Sequence, residues 1–166
     1  GNSNGVSVVG NYAYVARGSS GLAIIDISDP TNPGTPVTKD TSNTGEASDL
    51  TVVGNYAYVA EDGATRGLVI IDVSDRTNPG NPLLVETSAG SKGVSVVGNY
   101  AYLAVDTSGL AIIDISNPSS PGSPIYKDTK GIAKAVTVVG NYAYVVGIGF
   151  DLAIIDVSDP TNPGSP

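Results

Sequence analysis

Acidic side chains are where this sequence comes closest to offering chemistry. Asp26, Asp72, Asp114 and Asp156 recur, each directly after a pair of isoleucines. A ring of such carboxylates could bind cations. The reading we prefer is that each Asp accepts hydrogen bonds from backbone N–H groups of an adjacent turn, buried or half-buried, because a residue repeated in every unit usually serves the unit. Asp29, Asp75 and Asp159 head proline-containing turns, and Asn117 takes the equivalent place in the third copy. Asp49, Glu61 and Asp62 are the loop acids among which calcium would be sought, since calcium takes clustered oxygen ligands. No Asp-x-Asp-x-Asp-Gly loop supports them, so no metal site is assigned.

The rest of the catalytic repertoire is thin. The chain has no His and no Cys, which removes the usual general base, thiolate nucleophiles and disulfides. The serine pairs Ser19-Ser20 and Ser119-Ser120 therefore lack an imidazole partner. No two acids are placed together by the sequence for glycoside-type hydrolysis. The segment Gly147-Ile-Gly-Phe-Asp151 has two glycines but no following Lys or Ser/Thr, so it does not read as a phosphate loop; Phe150, the only Phe, reads as a loop packing residue. Lys92, Lys130 and Lys134 sit between units, where they read as solvated surface or as an anion site facing a central channel. No catalytic residue and no cofactor are assigned, and the expectation is a protein that is not an enzyme.

A net charge of −8 in 166 residues argues against nucleic acid and anionic membrane as partners, because both repel a negative surface. No apolar stretch is long enough to span a bilayer as a helix. The chain opens Gly1-Asn-Ser and contains no Met, which reads as a processing site or a scar of tag removal.

The elements that would position these residues come from a repeat. Gly-Asn-Tyr-Ala-Tyr begins at Gly10, Gly54, Gly98 and Gly140, spacings of 44, 44 and 42 residues. Each is followed by a Leu-Ala/Val-Ile-Ile-Asp block starting at Leu22, Leu68, Leu110 and Leu152, then by a turn of the type Asp29-Pro-Thr-Asn-Pro-Gly34. A period of this length matches one four-stranded propeller blade. The units run approximately 5–45, 46–92, 93–133 and 134–166 within a single domain over 1–166.

In the first unit the predicted strands are 6–9, 12–16, 22–27 and 37–41, rich in Val, Ile, Tyr and Thr. No helical spacing appears. The third strand lacks polar alternation, which implies burial on both faces, as in a blade held between two neighbours. The pairs Tyr12/Tyr14, Tyr56/Tyr58, Tyr100/Tyr102 and Tyr142/Tyr144 alternate with small residues, so bulky and slim faces of successive blades can nest. All eight are assigned to packing between blades. Gly and Asn suit the two-residue turn between the first and second strands. Variable loops are predicted at 17–21, 61–67, 105–109 and 147–151, and between units at 42–49, 88–93 and 130–135.

These blocks resemble the LVIVD-repeat proteins, which are β-propellers; Leu68-Val-Ile-Ile-Asp72, its three copies and their flanking blocks carry the likeness over nearly the whole chain. The resemblance implies a bacterial or archaeal parent, secreted or at the cell surface, without an established activity. The near-identity of the copies also looks like an engineered or excised segment, and designed propellers built from such repeats self-assemble.

The expected fold class is therefore all-β, a propeller with four blades per chain and fifteen strands, the fourth blade lacking its outermost strand. Its third strand would then be an edge, which Pro160, Pro163 and Pro166 could blunt. Slim blades suit a ring wider than four. The first blade's front and the last blade's back would be apolar and complementary, so two copies would close head to tail into an eight-bladed homodimeric ring. A closed four-bladed monomer and other ring sizes are the alternatives. The functional expectation is a non-catalytic structural or interaction scaffold; the alternative is a module binding a small ligand, cation or peptide through the channel or the variable loops.

Overall fold

The expected strand pattern is realised strand by strand in the structure, a computed structural model that describes residues 2–41 and 44–166. Gly1, which opens the terminus read above, and Ser42 and Asn43, which open the first inter-unit join, lie outside the described residues. The first sheet is β1 (Gly5–Val9), β2 (Tyr12–Ala16), β3 (Leu22–Asp26) and β4 (Val37–Lys39). The second is β5 (Gly45–Val53), β6 (Tyr56–Gly63), β7 (Gly67–Asp72) and β8 (Leu83–Glu86). The third is β9 (Ser91–Val97), β10 (Tyr100–Val105), β11 (Gly109–Asp114) and β12 (Ile125–Lys127), with a 3-10 turn at Asp106–Ser108. The fourth is β13 (Ile132–Val139), β14 (Tyr142–Ile148) and β15 (Leu152–Asp156). Within each sheet the strands are antiparallel neighbours in chain order, and β1, β5, β9 and β13 lie side by side in sequence, one from each blade.

The turns follow from residue type. Each Gly-Asn pair spans a two-residue hairpin in which only the Gly takes a positive φ, at 58°, 59°, 58° and 58° for Gly10, Gly54, Gly98 and Gly140. That is the requirement of a type II′ turn, whose twist matches its flanking strands. A Cβ at these glycines would meet nothing within 4 Å, so dihedral freedom rather than space selects them. The Asn of each turn then ties the two constant turns together: Asn11, Asn55, Asn99 and Asn141 carbonyls accept from the N–H of Ile27, Val73, Ile115 and Val157 at 2.7–2.8 Å. Antiparallel order puts these turns on one side of the blades and the variable loops on the other.

The joins between units differ from expectation. The join predicted at 88–93 is half strand, and those at 130–135 and in the described part of 42–49 are mostly strand: β5, β9 and β13 begin at Gly45, Ser91 and Ile132. Bulges at Ala47/Asp49 and Ala133/Ala135 on β5 and β13, and at Ala104/Val105 where β10 pairs with β9, absorb a change of register and let the ladders continue. The blades consequently start slightly ahead of the unit boundaries read from the repeat.

The core lies between blades. Paired residues share a face, so Tyr14, Ala16, Leu22 and Ile24 form one surface of the first sheet, and Ala13, Val15, Ala23 and Ile25 the other. The tyrosine face of blade one packs on Ala57, Val59, Val69 and Ile71 of blade two. The same contact recurs from Tyr58, Leu68 and Ile70 to Ala101, Leu103 and Ile113, and from Tyr102, Leu110 and Ile112 to Ala143, Val145 and Ile155. Tyr12, Tyr56 and Tyr100 are half-buried against these three contacts. Three interfaces thus hold four blades.

The fourth tyrosine pair departs from the packing role expected of it. Tyr14, Tyr58 and Tyr102 are buried, but their counterpart Tyr144 is only half-buried and Tyr142 is exposed. Neither Tyr142 nor Tyr144 belongs to a core between blades among the described residues. The reason is positional rather than chemical: in blades one to three the tyrosine face packs on the following blade, and among the described residues no sheet lies against that face of the fourth.

Leu68 is fully buried in the second interface. Leu68→Ala should lower the stability measured by urea unfolding by about 2–5 kcal/mol. Gly54→Ala, which adds one methyl in open space but at positive φ, should cost about 1–2 kcal/mol by the same measurement; no change there would mean that the hairpin tolerates another turn type.

Candidate functional site

The repeated acids serve turns. Asp26, Asp72, Asp114 and Asp156 each accept the backbone N–H of the Ser two residues on through Oδ1 at 2.8 Å, while their own carbonyls accept from Gly34, Gly80, Gly122 and Gly164 at 2.8 Å. They are exposed rather than buried, because they close the strand at the rim. Those hydrogen bonds hold the carboxyls below their usual range, through the Ser116 N–H and then its hydroxyl at Asp114, and in the reverse order at Asp72. Asp29, Asp75 and Asp159 accept from the hydroxyl and the N–H of Thr31, Thr77 and Thr161; Asn117 accepts the Ser119 N–H at 3.2 Å.

Asp49, Glu61 and Asp62 are spread over the joints between blades. Asp49 on β5 reaches the next blade, where Oδ2 accepts the Val94 N–H at 3.0 Å while Oδ1 accepts the Leu50 N–H at 2.9 Å. Glu61 is buried on β6, in register with Ala47 and Gly67. Asp62, one residue on, pairs with Lys92 of blade three. Burial opposes its charge, but the hydrogen bond and charge of Lys92, the Gly63 N–H and the charge of Lys134 outweigh it and hold the carboxyl below its usual range. Asp106 and Lys134 repeat that bridge one blade further, at 3.6 Å. Among the described residues no group of three or more acids is gathered as a metal would require.

Lys92 and Lys134 are therefore inter-blade partners. Only Lys130 keeps a loop role, held at φ 61° with its N–H on Asp128 Oδ1 at 2.7 Å. Phe150 lies over Gly131 and Gly147, where a Cβ would strike its ring, and packs on the third interface. Arg76 was not foreseen. It stands where the other units have Pro30, Pro118 and Pro160, its guanidinium carbon 4.9 Å from the Tyr12 ring centroid and its Nε donating to the Tyr14 hydroxyl at 3.1 Å. That departure from the repeat was its signal. A shallow groove of about 350 Å³, lined by Tyr56, Asp72, Asn81 and Pro118 among others, lies at the rim between blades two and three.

The most distinctive surfaces are the two end faces. Leu50 and Val52 of blade two are 4% and 8% exposed, yet their counterparts in blade one, Val6 and Val8, are 66% and 59% exposed. Leu68 and Ile70 are 0% and 3% exposed, whereas Leu152 and Ile154 of blade four are 52% and 47% exposed. Tyr142, Tyr144, Val146 and Ile148 widen that last face. No contact comparable to β1 on β5 joins β13 back to β1 among the described residues. Positions that form the core within the chain thus stand open at its ends.

Four antiparallel sheets packed face to face, with their first strands side by side, are the blades of a β-propeller. The LVIVD repeat model matches residues 1–41, 44–87, 90–124 and 130–165, so the chain belongs to the LVIVD-repeat family. Solved structures agree on the fold. The computationally designed Ika4 protein superposes with a TM-score of 0.71 at 12% identity, over 92% of this chain and 89% of that one. The designed Ika8 protein gives 0.73 at 11% identity, over 95% of this chain and 46% of its own. Apo AztD from Citrobacter koseri gives 0.63 at 14% identity, over 99% and 46%. The chain thus spans about half the length of Ika8 and AztD. Comparison with curated proteins gives no match. Among the described residues no helix is long and apolar enough to cross a membrane, which says nothing of strands.

Burial raises the Asp49 carboxyl above 3.8, against the lowering effect of the Val94 and Leu50 N–H groups. A raised value means the fold favours the protonated form, so this contribution is full below the unfolded value and lost as pH rises through the folded one. Asp49→Asn, neutral throughout, should gain stability relative to the unaltered chain as pH rises from about 4 to about 7. Parallel urea midpoints across that range would show an ordinarily hydrated carboxylate.

Proposed function

We propose that this chain is a non-catalytic structural and interaction module that self-associates head to tail through its two end faces. The observation that carries the reading is that equivalent positions are buried inside the chain and open at its ends. Blade four presents the tyrosine face that blades one to three bury, and blade one presents the alanine and valine face that blades two to four bury. Each end is thus a surface for which the chain already contains the fitting partner. The contact is heterologous, so it must close into a ring or run on. Two copies closing with two-fold symmetry give eight blades.

Energetics favour closure over an open string. Full burial of a Leu or Ile side chain contributes about 1.5–3 kcal/mol, and Leu152 and Ile154 each have about half of that still to gain. Association costs an estimated 4–15 kcal/mol in lost freedom. A closed pair forms two joints for one such loss, the second being intramolecular.

A second reading is a module that holds a small ligand, cation or peptide; the groove that favours it lies at the rim between blades two and three, among the constant turns rather than at the channel or the variable loops. Heat released on calorimetric titration with calcium is the direct check on its cation arm.

Sedimentation equilibrium should give about twice the chain mass of 16.7 kDa. Val8→Glu and Ile154→Glu should each return the particle to a single chain with its far-ultraviolet circular dichroism unchanged. Mixed together they should form a one-to-one dimer with one joint, since each retains the face the other lacks. A single-chain mass for the unaltered protein at high concentration overturns the proposal.

A further inference from the structure

Arg76 breaks the repeat at one joint, and the matching place at the next joint is a groove. Between blades one and two, the turn of blade two carries Arg76 back over blade one. Its guanidinium carbon lies 4.9 Å from the Tyr12 ring centroid and its Nε donates to the Tyr14 hydroxyl at 3.1 Å. Blade three has Pro118 at that position, and Pro118 lines the rim groove of about 350 Å³ beside Tyr56. Register makes the two places equivalent: Tyr12 and Tyr14 pair with Asp26 and Ile24, as Tyr56 and Tyr58 pair with Asp72 and Ile70. The Tyr58 hydroxyl, counterpart of the one that Arg76 reaches, meets no donor among the described residues.

The walls of the groove suit a guanidinium for reasons beyond that likeness. Tyr56 offers a ring to a cation, and Leu83 and Pro118 offer apolar surface to the methylene stem of a long side chain. Asp72 contributes a carboxylate whose Oδ1 is fixed by the Ser74 N–H at 2.8 Å. Asn81 contributes a carbonyl oxygen; it accepts from Lys39 Nζ at 3.3 Å, which leaves its second lone pair for another donor. A planar fork of N–H groups meets such acceptors better than a compact ammonium does. The net charge of −8 adds a general attraction for cations. The joint between blades three and four lacks part of this set, since Ser123 stands where blade two has Asn81. The groove is shallow and opens at the rim, with Leu83 37% exposed. It therefore favours a side chain delivered from outside, as Arg76 is delivered by a turn, over a free molecule that would need enclosing.

We propose that the rim groove between blades two and three is a docking site for the guanidinium of an arginine side chain presented on an exposed loop of another chain. The assignment rests on the second reading given above and names its ligand. Tyr56 would lie against the cation, Asp72 and Asn81 would accept its N–H groups, and the stem would pass over Leu83. The groove lies inside the chain, so the site does not depend on what covers the end faces.

The test titrates the unaltered chain with the peptide acetyl-Gly-Arg-Gly-amide and follows the resonances of Tyr56, Asn81 and Leu83. Saturable shifts are expected at millimolar peptide, weaker with lysine in place of arginine and absent with citrulline, which keeps the shape without the charge. Tyr56→Leu should weaken binding about two- to fivefold. Pro118→Arg, which supplies the cation that blade two already carries, should abolish it, with far-ultraviolet circular dichroism unchanged in both variants. The citrulline comparison needs no variant and stands even where a substitution disturbs folding. Four results overturn the proposal: no shift with the arginine peptide, equal binding of the citrulline peptide, binding that survives Pro118→Arg in a folded chain, or tighter binding of free arginine than of the peptide, which would mark a small-molecule site. Calcium added to the same sample separates this assignment from the reading it rests on: groove shifts with calcium but not with the arginine peptide overturn the arginine site and leave a cation-binding module standing.

Discussion

The constraint on which the molecule depends is that every sheet is apolar on both faces. A sheet of four short strands with one wet face could fold onto a helix or a second sheet. Here Tyr14, Leu22 and Ile24 occupy one surface and Ala13, Val15 and Ile25 the other, so each blade needs a neighbour on either side. Native packing density then demands complementary shape, and the alternation of tyrosine with alanine and valine provides it: the bulky face of one blade meets the slim face of the next in all three interfaces. Polar groups act at the margins of this contact. The Asp62–Lys92 and Asp106–Lys134 bridges and the Arg76–Tyr14 hydrogen bond join neighbouring blades, and solvent screening limits the more exposed Asp106–Lys134 pair to about 0.2–1 kcal/mol. They set how blades meet, whereas apolar burial sets whether they do.

The same constraint explains which parts of the structure were legible in the sequence. Strand positions, the count of fifteen among the described residues and the face carrying each tyrosine pair were readable because strand periodicity and a 42- to 44-residue repeat report directly on alternation. Burial of each pair was not, since it depends on a neighbour: Tyr144 has the same local sequence as Tyr58, but among the described residues no blade lies against it. The Gly-Asn turns were readable because dihedral demand leaves few residue types. The bridges were not, because Asp62 and Lys92 lie thirty residues apart on different sheets, and a pairing between blades leaves no local period. Exposure of Asp26 and its copies was misjudged for a related reason: a continuous apolar run implies burial up to its last residue, but the strand ends at the Asp and its carboxylate turns to the Ser28 N–H in solvent. Arg76 was visible only as a break in a proline position.

In a repeat chain, function is more readily found in deviations from equality than in the repeated residues. Tyr, Asp and the Ile pair recur in every copy and have local duties. What differs between copies is context: Val6 and Leu50 share a position, as do Leu152 and Leu68, yet one of each pair is open and the other closed. No residue chemistry distinguishes them, only the presence of a neighbouring blade. A surface of this kind carries its own specificity, since whatever covers it must present the shape that already covers its copies inside the chain. That requirement favours a blade of the same family over an unrelated partner, and it is why the assembly reading needs no special residue to support it.

Heterologous faces also bring a hazard that the charge of the chain can moderate. A head-to-tail contact that fails to close propagates as a string, and a net charge of −8 on each copy accumulates along it, whereas a closed pair stops at two. Self-repulsion between like-charged copies grows with each addition and is screened beyond about 10 Å at moderate salt. Low ionic strength therefore weighs against long strings more than against a closed pair, and high salt relaxes that bias. In the proposed ring, apolar nesting would provide the attraction, closure would saturate it, and the acidic surface would disfavour the alternatives that leave a face uncovered.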